Sequence, residues 1–192
     1  GNVVIDNAWY YRADHGVNGD IDAGKNPSWS GLHVYGKNCI VYGLNVDNTQ
    51  KNQVEWYGEG GGVWGFNSMM PVDAAASWGG RRYATYMVDS AVKAHTANGV
   101  GATSKFRDAV VEAASAFTVP DTAGVSLTNA YTLFLGGIGE QDISIGNVVN
   151  SSGGSVGPNG LKGGKSAEYV CHYSNSQSSG PSVTPVEEFF LQ

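Results

Sequence analysis

The chain has 192 residues, enough for one domain that buries a core of its own. Eleven basic against seventeen acidic side chains give a net charge of −6, which leaves no basic footprint for a nucleic-acid backbone. No run approaches the roughly 20 apolar residues that span a bilayer, and 41% hydrophobic with 11% aromatic content argues against disorder.

In chain order, residues 2–7 already read as a strand (Asn2-Val3-Val4-Ile5-Asp6-Asn7). No basic or apolar leader is visible, so the chain is expected to be a mature or excised piece of something longer. A solenoid that opens inside a strand has an uncapped edge, which invites stacking on a second copy. Further strand-like runs are expected at residues 38–48, 53–57, 63–67, 83–89, 110–119, 125–135 and 143–149. They are rich in Val, Ile, Tyr and Trp and bounded by Gly, Asn and Asp. Residues 104–117 read equally well as a short helix or as a strand and turn.

Several runs begin alike. Asn2-Val3-Val4, Asn38-Cys39-Ile40 and Asn52-Gln53-Val54 each place Asn just before apolar residues. Short strands recurring at roughly 20-residue intervals, with Asn at corners where it tolerates left-handed geometry, suit a solenoid of stacked coils. An ordinary β-sandwich also shows short, regularly spaced strands, and periodicity leaves both open. The expected β-body covers residues 1–150. A Gly/Ser-rich connector is expected at 151–166, and a tail at 167–192 that packs on the body. Little charge with 28 glycines is the composition of an extracellular β-protein.

Cys39 and Cys171 are the only cysteines. A 16-residue connector reaches roughly 20–24 Å, enough for a disulfide between them. The alternative is that Cys39 is a small buried hydrophobe. Asn150-Ser151-Ser152 is the single N-glycosylation sequon.

Two phosphate-binding patterns fail on context. Gly60-Gly61-Gly62-Val63-Trp64-Gly65 satisfies G-x-G-x-x-G, but Phe66-Asn67-Ser68-Met69-Met70-Pro71 cannot open the helix a dinucleotide requires. Gly163-Gly164-Lys165-Ser166 ends like a phosphate loop, but Asn159 replaces its first glycine. His15, His33, His95 and His172 lie far apart without metal-ligand spacing, so neither metal nor other cofactor is expected. The first third concentrates acids (Asp14, Asp20, Asp22, Asp47, Glu55, Glu59, Asp73) among Trp9, Tyr10, Tyr11, Trp29, Trp56, Tyr57 and Trp64. Rings beside carboxylates suit a sugar groove; they equally suit a solenoid with a solvated outside and a stacked inside.

The string Trp9-Tyr10-Tyr11-Arg12-Ala13-Asp14-His15-Gly16 resembles the W-x-x-R-A-D-H-G segment of glycoside hydrolase family 55, the laminarinase-type exo-β-1,3-glucanases. The likeness continues through Gly31-Leu32-His33-Val34, residues 41–51 and residues 54–61 to Met70-Pro71-Val72-Asp73, and fades beyond about residue 100. The resemblance implies an all-β, right-handed parallel β-helix of the pectin-lyase-like kind. It implies a second such β-helix beside it, with the substrate between them. The implied reaction is inverting hydrolysis, in which one carboxylic acid protonates the leaving oxygen while other groups hold a water.

The carry-over is partial. Asp47 stands where the family's Glu positions the water. Met69 stands at the expected general-acid position, in Ser68-Met69-Met70-Pro71-Val72-Asp73 where the family reads like N-E-M-P-Y-D. A thioether delivers no proton, and losing a general acid typically forfeits about 10²–10⁴ in rate. Trp9, Arg12, Asp14 and His15 are the implied substrate-binding residues, with Glu55 and Glu59 as further carboxylates. Three readings follow: a catalytically degenerate extracellular module that binds β-1,3-glucan or serves a larger assembly, an active half-domain completed by a second β-helix, and a structural solenoid that self-associates.

Overall fold

The computed structural model describes residues 2–17, 19–20, 25–138, 142–157 and 165–180. Its organising feature is a phase slip within each long strand. In β5 (Cys39–Asp47), Cys39 and Val41 are buried, and after Gly43 the buried positions become Leu44 and Val46. A strand buries every second residue, so Gly43 moves the inward face by one position. It does so with φ +60, and the strand turns a corner there.

The same corner recurs in every coil. Parallel register sets β1 (Val4–Tyr11), β5, β7 (Gly61–Met69), β9 (His95–Phe106) and β11 (Val125–Gly137) side by side in that order. Asn7, Gly43, Gly65, Gly99 and Asn129 fall on one line across them, all with positive φ. Seven of the nine non-glycine residues with positive φ among those described are asparagines, which supports the corner role expected for Asn.

Shorter strands close each coil. β4 (Leu32–Val34), β6 (Val54–Trp56), β8 (Tyr86–Val88) and β10 (Phe117–Thr118) form a second parallel sheet, each lying between two consecutive long strands in sequence. The fold is therefore a parallel β-helix. Its interior stacks Val41, Val63, Ala97 and Leu127 on one side of the corner and Leu44, Phe66, Val100 and Ala130 on the other; Trp56, Tyr86 and Phe117 fill it from the second sheet. Each fully buried large side chain contributes about 1.5–3 kcal/mol over leaving it exposed.

Coil length is uneven, from 22 residues (Cys39 to Gly61) to 36 (Val4 to Ile40), rather than a regular 20. The variation lies on one flank. Links from long to short strands are residues 12–31, 48–53, 70–85 and 107–116, whereas links from short to long strands are 35–38, 57–60, 89–94 and 119–124. The long flank holds the small hairpin of β2 (His15–Gly16) and β3 (Gly19–Asp20) and a 3-10 turn, Ala76–Arg81.

Several expectations need correction. β9 was not foreseen. Residues 104–117 form no helix: they end β9, run through irregular chain and reach β10 at Phe117. Residues 143–149 make isolated bridges at Ile145 and Val149 rather than a strand. Within the expected connector, Ser152 pairs with Val149 and Val156 with Ile145, so residues 151–157 are folded chain; residues 158–164, with Asn159, Gly163 and Gly164, lie outside the described residues. The described part of the tail extends the main sheet, with Val170 and Tyr173 buried in the core. β12 (Ala167–Ser174) runs antiparallel to β11, and β13 (Gln177–Ser179) pairs with β12. The last stretch, 181–192, lies outside the described residues.

Candidate functional site

Beyond the corner, side chains that do not enter the core project from the outer face in two rows. One row is Trp9, Asn45, Asn67, Gly101, Tyr131 and Tyr169; the other is Tyr11, Asp47, Met69, Thr103, Leu133 and Ala167. The register thus sets Trp9, Tyr11, Asp47 and Met69 together on three adjacent strands.

Asp47 links them. Met69 N–H donates to its Oδ1 at 2.8 Å, and the Trp9 indole N–H donates to Oδ2 at 2.8 Å. Burial pushes the Asp47 carboxyl up, only partly offset by those two donors. The tether fixes the orientation of Trp9, a residue 67% exposed whose ring lies 5.6 Å from that of Tyr11. Tyr11 in turn donates its hydroxyl to Asp14 Oδ1, which His15 Nδ1 also approaches at 2.7 Å. Burial raises the Asp14 carboxyl, but the Tyr11 and His15 hydrogen bonds outweigh it and hold the carboxyl below the ordinary Asp range. The assembly is an exposed aromatic platform braced by two carboxylates.

A family model, the LAM55 pectate lyase-like domain, matches residues 1–69. The exo-beta-1,3-glucanase of Streptomyces sp. (strain SirexAA-E / ActE) is 30% identical over 161 residues, covering 81% of this chain and 26% of that enzyme. Two solved structures, sacteLam55A from Streptomyces sp. SirexAA-E and a glutamate-to-alanine variant of it in complex with glucose, superpose with TM-scores of 0.75 at 25% identity. Each match covers 88% of this chain and 30% of the other. The chain resembles the β-helix of the family 55 laminarinases. It spans under a third of the length of these relatives.

Within that family 55 frame, the structure separates the implied site residues. Trp9, Asp47 and Met69 come together, with Asp14 and His15 following Tyr11 out of β1. Arg12 does not join them. Its guanidinium is buried, donating from Nη2 to Asp73 Oδ1, from Nε to the Asn48 carbonyl at 2.5 Å and from Nη1 to the Lys25 carbonyl at 3.1 Å. The Asn48 and Asp73 contacts tie the first coil to the next two and the Lys25 contact holds Arg12's own link, so the buried guanidinium has no donor aimed at a substrate.

Glu55 lies on the second sheet, a different face from Asp47. There it accepts from Tyr57 Oη at 2.6 Å, Asn52 Nδ2 at 3.0 Å and Ser30 Oγ at 3.3 Å, with His33 Nε2 at 3.5 Å. Burial raises its carboxyl, but these partners prevail and hold it low, and the same contact pushes Tyr57 up to about 12. Glu59 accepts the Lys93 backbone N–H at 2.9 Å on the short-link flank. Both glutamates are therefore structural acceptors away from the platform.

Asn150 is also spent on the fold. Its Nδ2 donates to the Val119 carbonyl at 3.0 Å and to Tyr173 Oη at 2.7 Å, so the amide that a glycan would occupy is already used. Cys39 lies on β5 and Cys171 on β12, with β7, β9 and β11 between them. Both remain thiols; a disulfide needs Cα atoms within about 7 Å, and four strand steps exceed that. No group of three or more His, Cys, Asp or Glu with metal-holding geometry occurs among the described residues.

Sequence reasoning passed over Asn67, Tyr131 and Tyr169. The line of corner residues would have placed Asn67 and Tyr131, because the second residue after each corner faces outward; Tyr169 joins them only through the antiparallel pairing of β12 with β11. A pocket of about 390 Å³ opens on the long-link flank between Trp29, Gln50, Lys51, Asp73, Trp78 and Tyr83. It lies beyond the ends of β5 and β7, apart from Trp9.

Proposed function

We propose that this β-helix is an extracellular module that binds β-1,3-glucan without cutting it. The observation that carries the reading is the state of the platform's carboxylates: both oxygens of Asp47 accept protein N–H groups, and Met69, which holds no proton to give, stands beside it. Trp9 supplies an exposed ring for a pyranose face, oriented in advance by its tether to Asp47, which lowers the ordering cost of binding. That the Streptomyces relative is an exo-beta-1,3-glucanase supports the choice of glycan.

Titration of a β-1,3-gluco-oligosaccharide by calorimetry, with product analysis of the same mixture, tests this. Binding with intact sugar, weakened at least about tenfold in Trp9→Ala, is the expected result. Release of glucose would overturn it. One observation favours a second reading, an active half-site completed by a further β-helix: burial raises the Asp47 carboxyl, the direction a proton donor requires. That reading expects cleavage with inversion, abolished in Asp47→Asn.

A further inference from the structure

We infer that the outer face beyond the corner is a track for one linear, neutral polysaccharide lying across the strands from Trp9 to Tyr169. The inference rests on the glycan reading above and extends it from a single platform to a chain of subsites.

The row that begins at Trp9 continues through Asn45 and Asn67, both exposed, and ends in a second aromatic pair, Tyr131 and Tyr169. Their ring centroids are 6.2 Å apart and tilted by 32°, close to the 5.6 Å and 38° of Trp9 and Tyr11 at the other end. Gly101 separates Asn67 from Tyr131 in the row. A Cβ there would overlap the Tyr131 ring, so that ring lies flat against the β9 backbone and leans toward the Trp9 end. Four strand steps of about 4.8 Å carry the row roughly 19 Å from Trp9 to Tyr131, and a fifth reaches Tyr169. One strand step is close to the width of a pyranose ring, so each step can seat one sugar.

The chemistry of the row selects the occupant. Rings at both ends and amides between them offer stacking faces with donors and acceptors, which match hydroxyl-rich rings. No side chain of the row carries a charge, and the carboxylates beside it are engaged by the protein, Asp47 by two N–H groups and Asp14 by Tyr11 and His15. The row itself therefore offers a polyanion no cation and a polycation no open carboxylate. The distance between the two aromatic pairs exceeds what a mono- or disaccharide spans, so the occupant is a chain.

Calorimetry with a β-1,3-linked disaccharide and hexasaccharide tests the track. The expected result is a hexasaccharide affinity at least about tenfold above that of the disaccharide. Tyr169→Ala, at a residue 46% exposed, removes that gain while leaving disaccharide binding unchanged, and Asn67→Ala weakens the hexasaccharide alone. Trp9→Ala weakens both. Equal affinity for the two sugars, or a hexasaccharide indifferent to both Tyr169→Ala and Asn67→Ala, would overturn the track and leave the single platform standing. Absence of binding by either sugar would overturn the platform and the track together.

Discussion

Placing His95 between Trp56 and Tyr86 commits the core to a neutral imidazole. It is 2% exposed, its Nε2 shares a 2.9 Å hydrogen bond with Tyr86 Oη, and Trp56 lies 4.5 Å away. Burial lowers its pKa from 6.5 to about 3. Between those values the unfolded chain binds a proton that the folded chain refuses, so stability rises with pH there and is lost on acidification. Unfolding free energies from urea titrations should fall by up to about 1.4 kcal/mol per pH unit from this residue between pH 6.5 and pH 4, and H95Q should flatten that slope. Arg12 and Asp73 make the opposite kind of commitment, a buried pair of charges 3% and 4% exposed. Arg12→Ala strands the Asp73 carboxylate and should cost about 3–5 kcal/mol in denaturant melts. The double change with Asp73→Ala should cost less than the sum of the two single ones. This separates Arg12 from the binding residues: its loss should lower stability with no selective loss of sugar affinity.

At the level of strands, the line of left-handed corners fixes both the bend and the inward face. Gly65 has φ +73, and a Cβ there would meet the Gly43 backbone only at ordinary van der Waals distance, so Gly65→Asn should change stability by less than about 1 kcal/mol. Gly61, with φ +80, sits against β5, and a Cβ there would overlap the Cys39 carbonyl oxygen. Gly61→Asn should therefore unfold the chain or lower its melting temperature by many degrees, which a thermal melt of the two variants would show. Left-handed turns were partly legible in the sequence, since Asn38, before the apolar run of β5, does take positive φ whereas Asn52 does not, and the strong strands β5 and β11 were readable from Val, Ile, Leu and Tyr. β9 was not, because His95–Phe106 is built largely from Ala, Gly, Thr and Ser. These small residues fill an interior already occupied by Trp56, Tyr86 and Phe66, and they carry little intrinsic strand preference. The site was legible to the same extent. Trp9 and Asp47 belong to one recognisable string and meet across β1 and β5. The role of Arg12 depends on Asn48 and Asp73 in later coils, and the separation of Glu55 depends on which sheet β6 joins. Neither follows from local pattern.

As a whole, the molecule is held by stacking rather than by covalent staples. Each coil presents a half-buried layer to the next, and the antiparallel hairpin of β12 and β13 covers β11, blunting one edge of the main sheet. Cys39 and Cys171 add no constraint on the unfolded chain, so the melting temperature should be the same with and without reductant; a fall in reductant would mean that the thiols are joined after all. The uneven coils have a further consequence. Every link on one flank is short, and every large excursion leaves from the other, where the platform's strands end. Register is inherited from the short flank and the corners, so the long flank is free to vary in length without disturbing the row of outward side chains. Descent with modification can therefore rewrite what borders the sugar face by insertion alone, and a protein engineer could graft foreign loops there as onto a display scaffold, the stacked coils acting as a ruler that keeps Trp9, Asn45, Asn67 and Tyr131 at constant spacing.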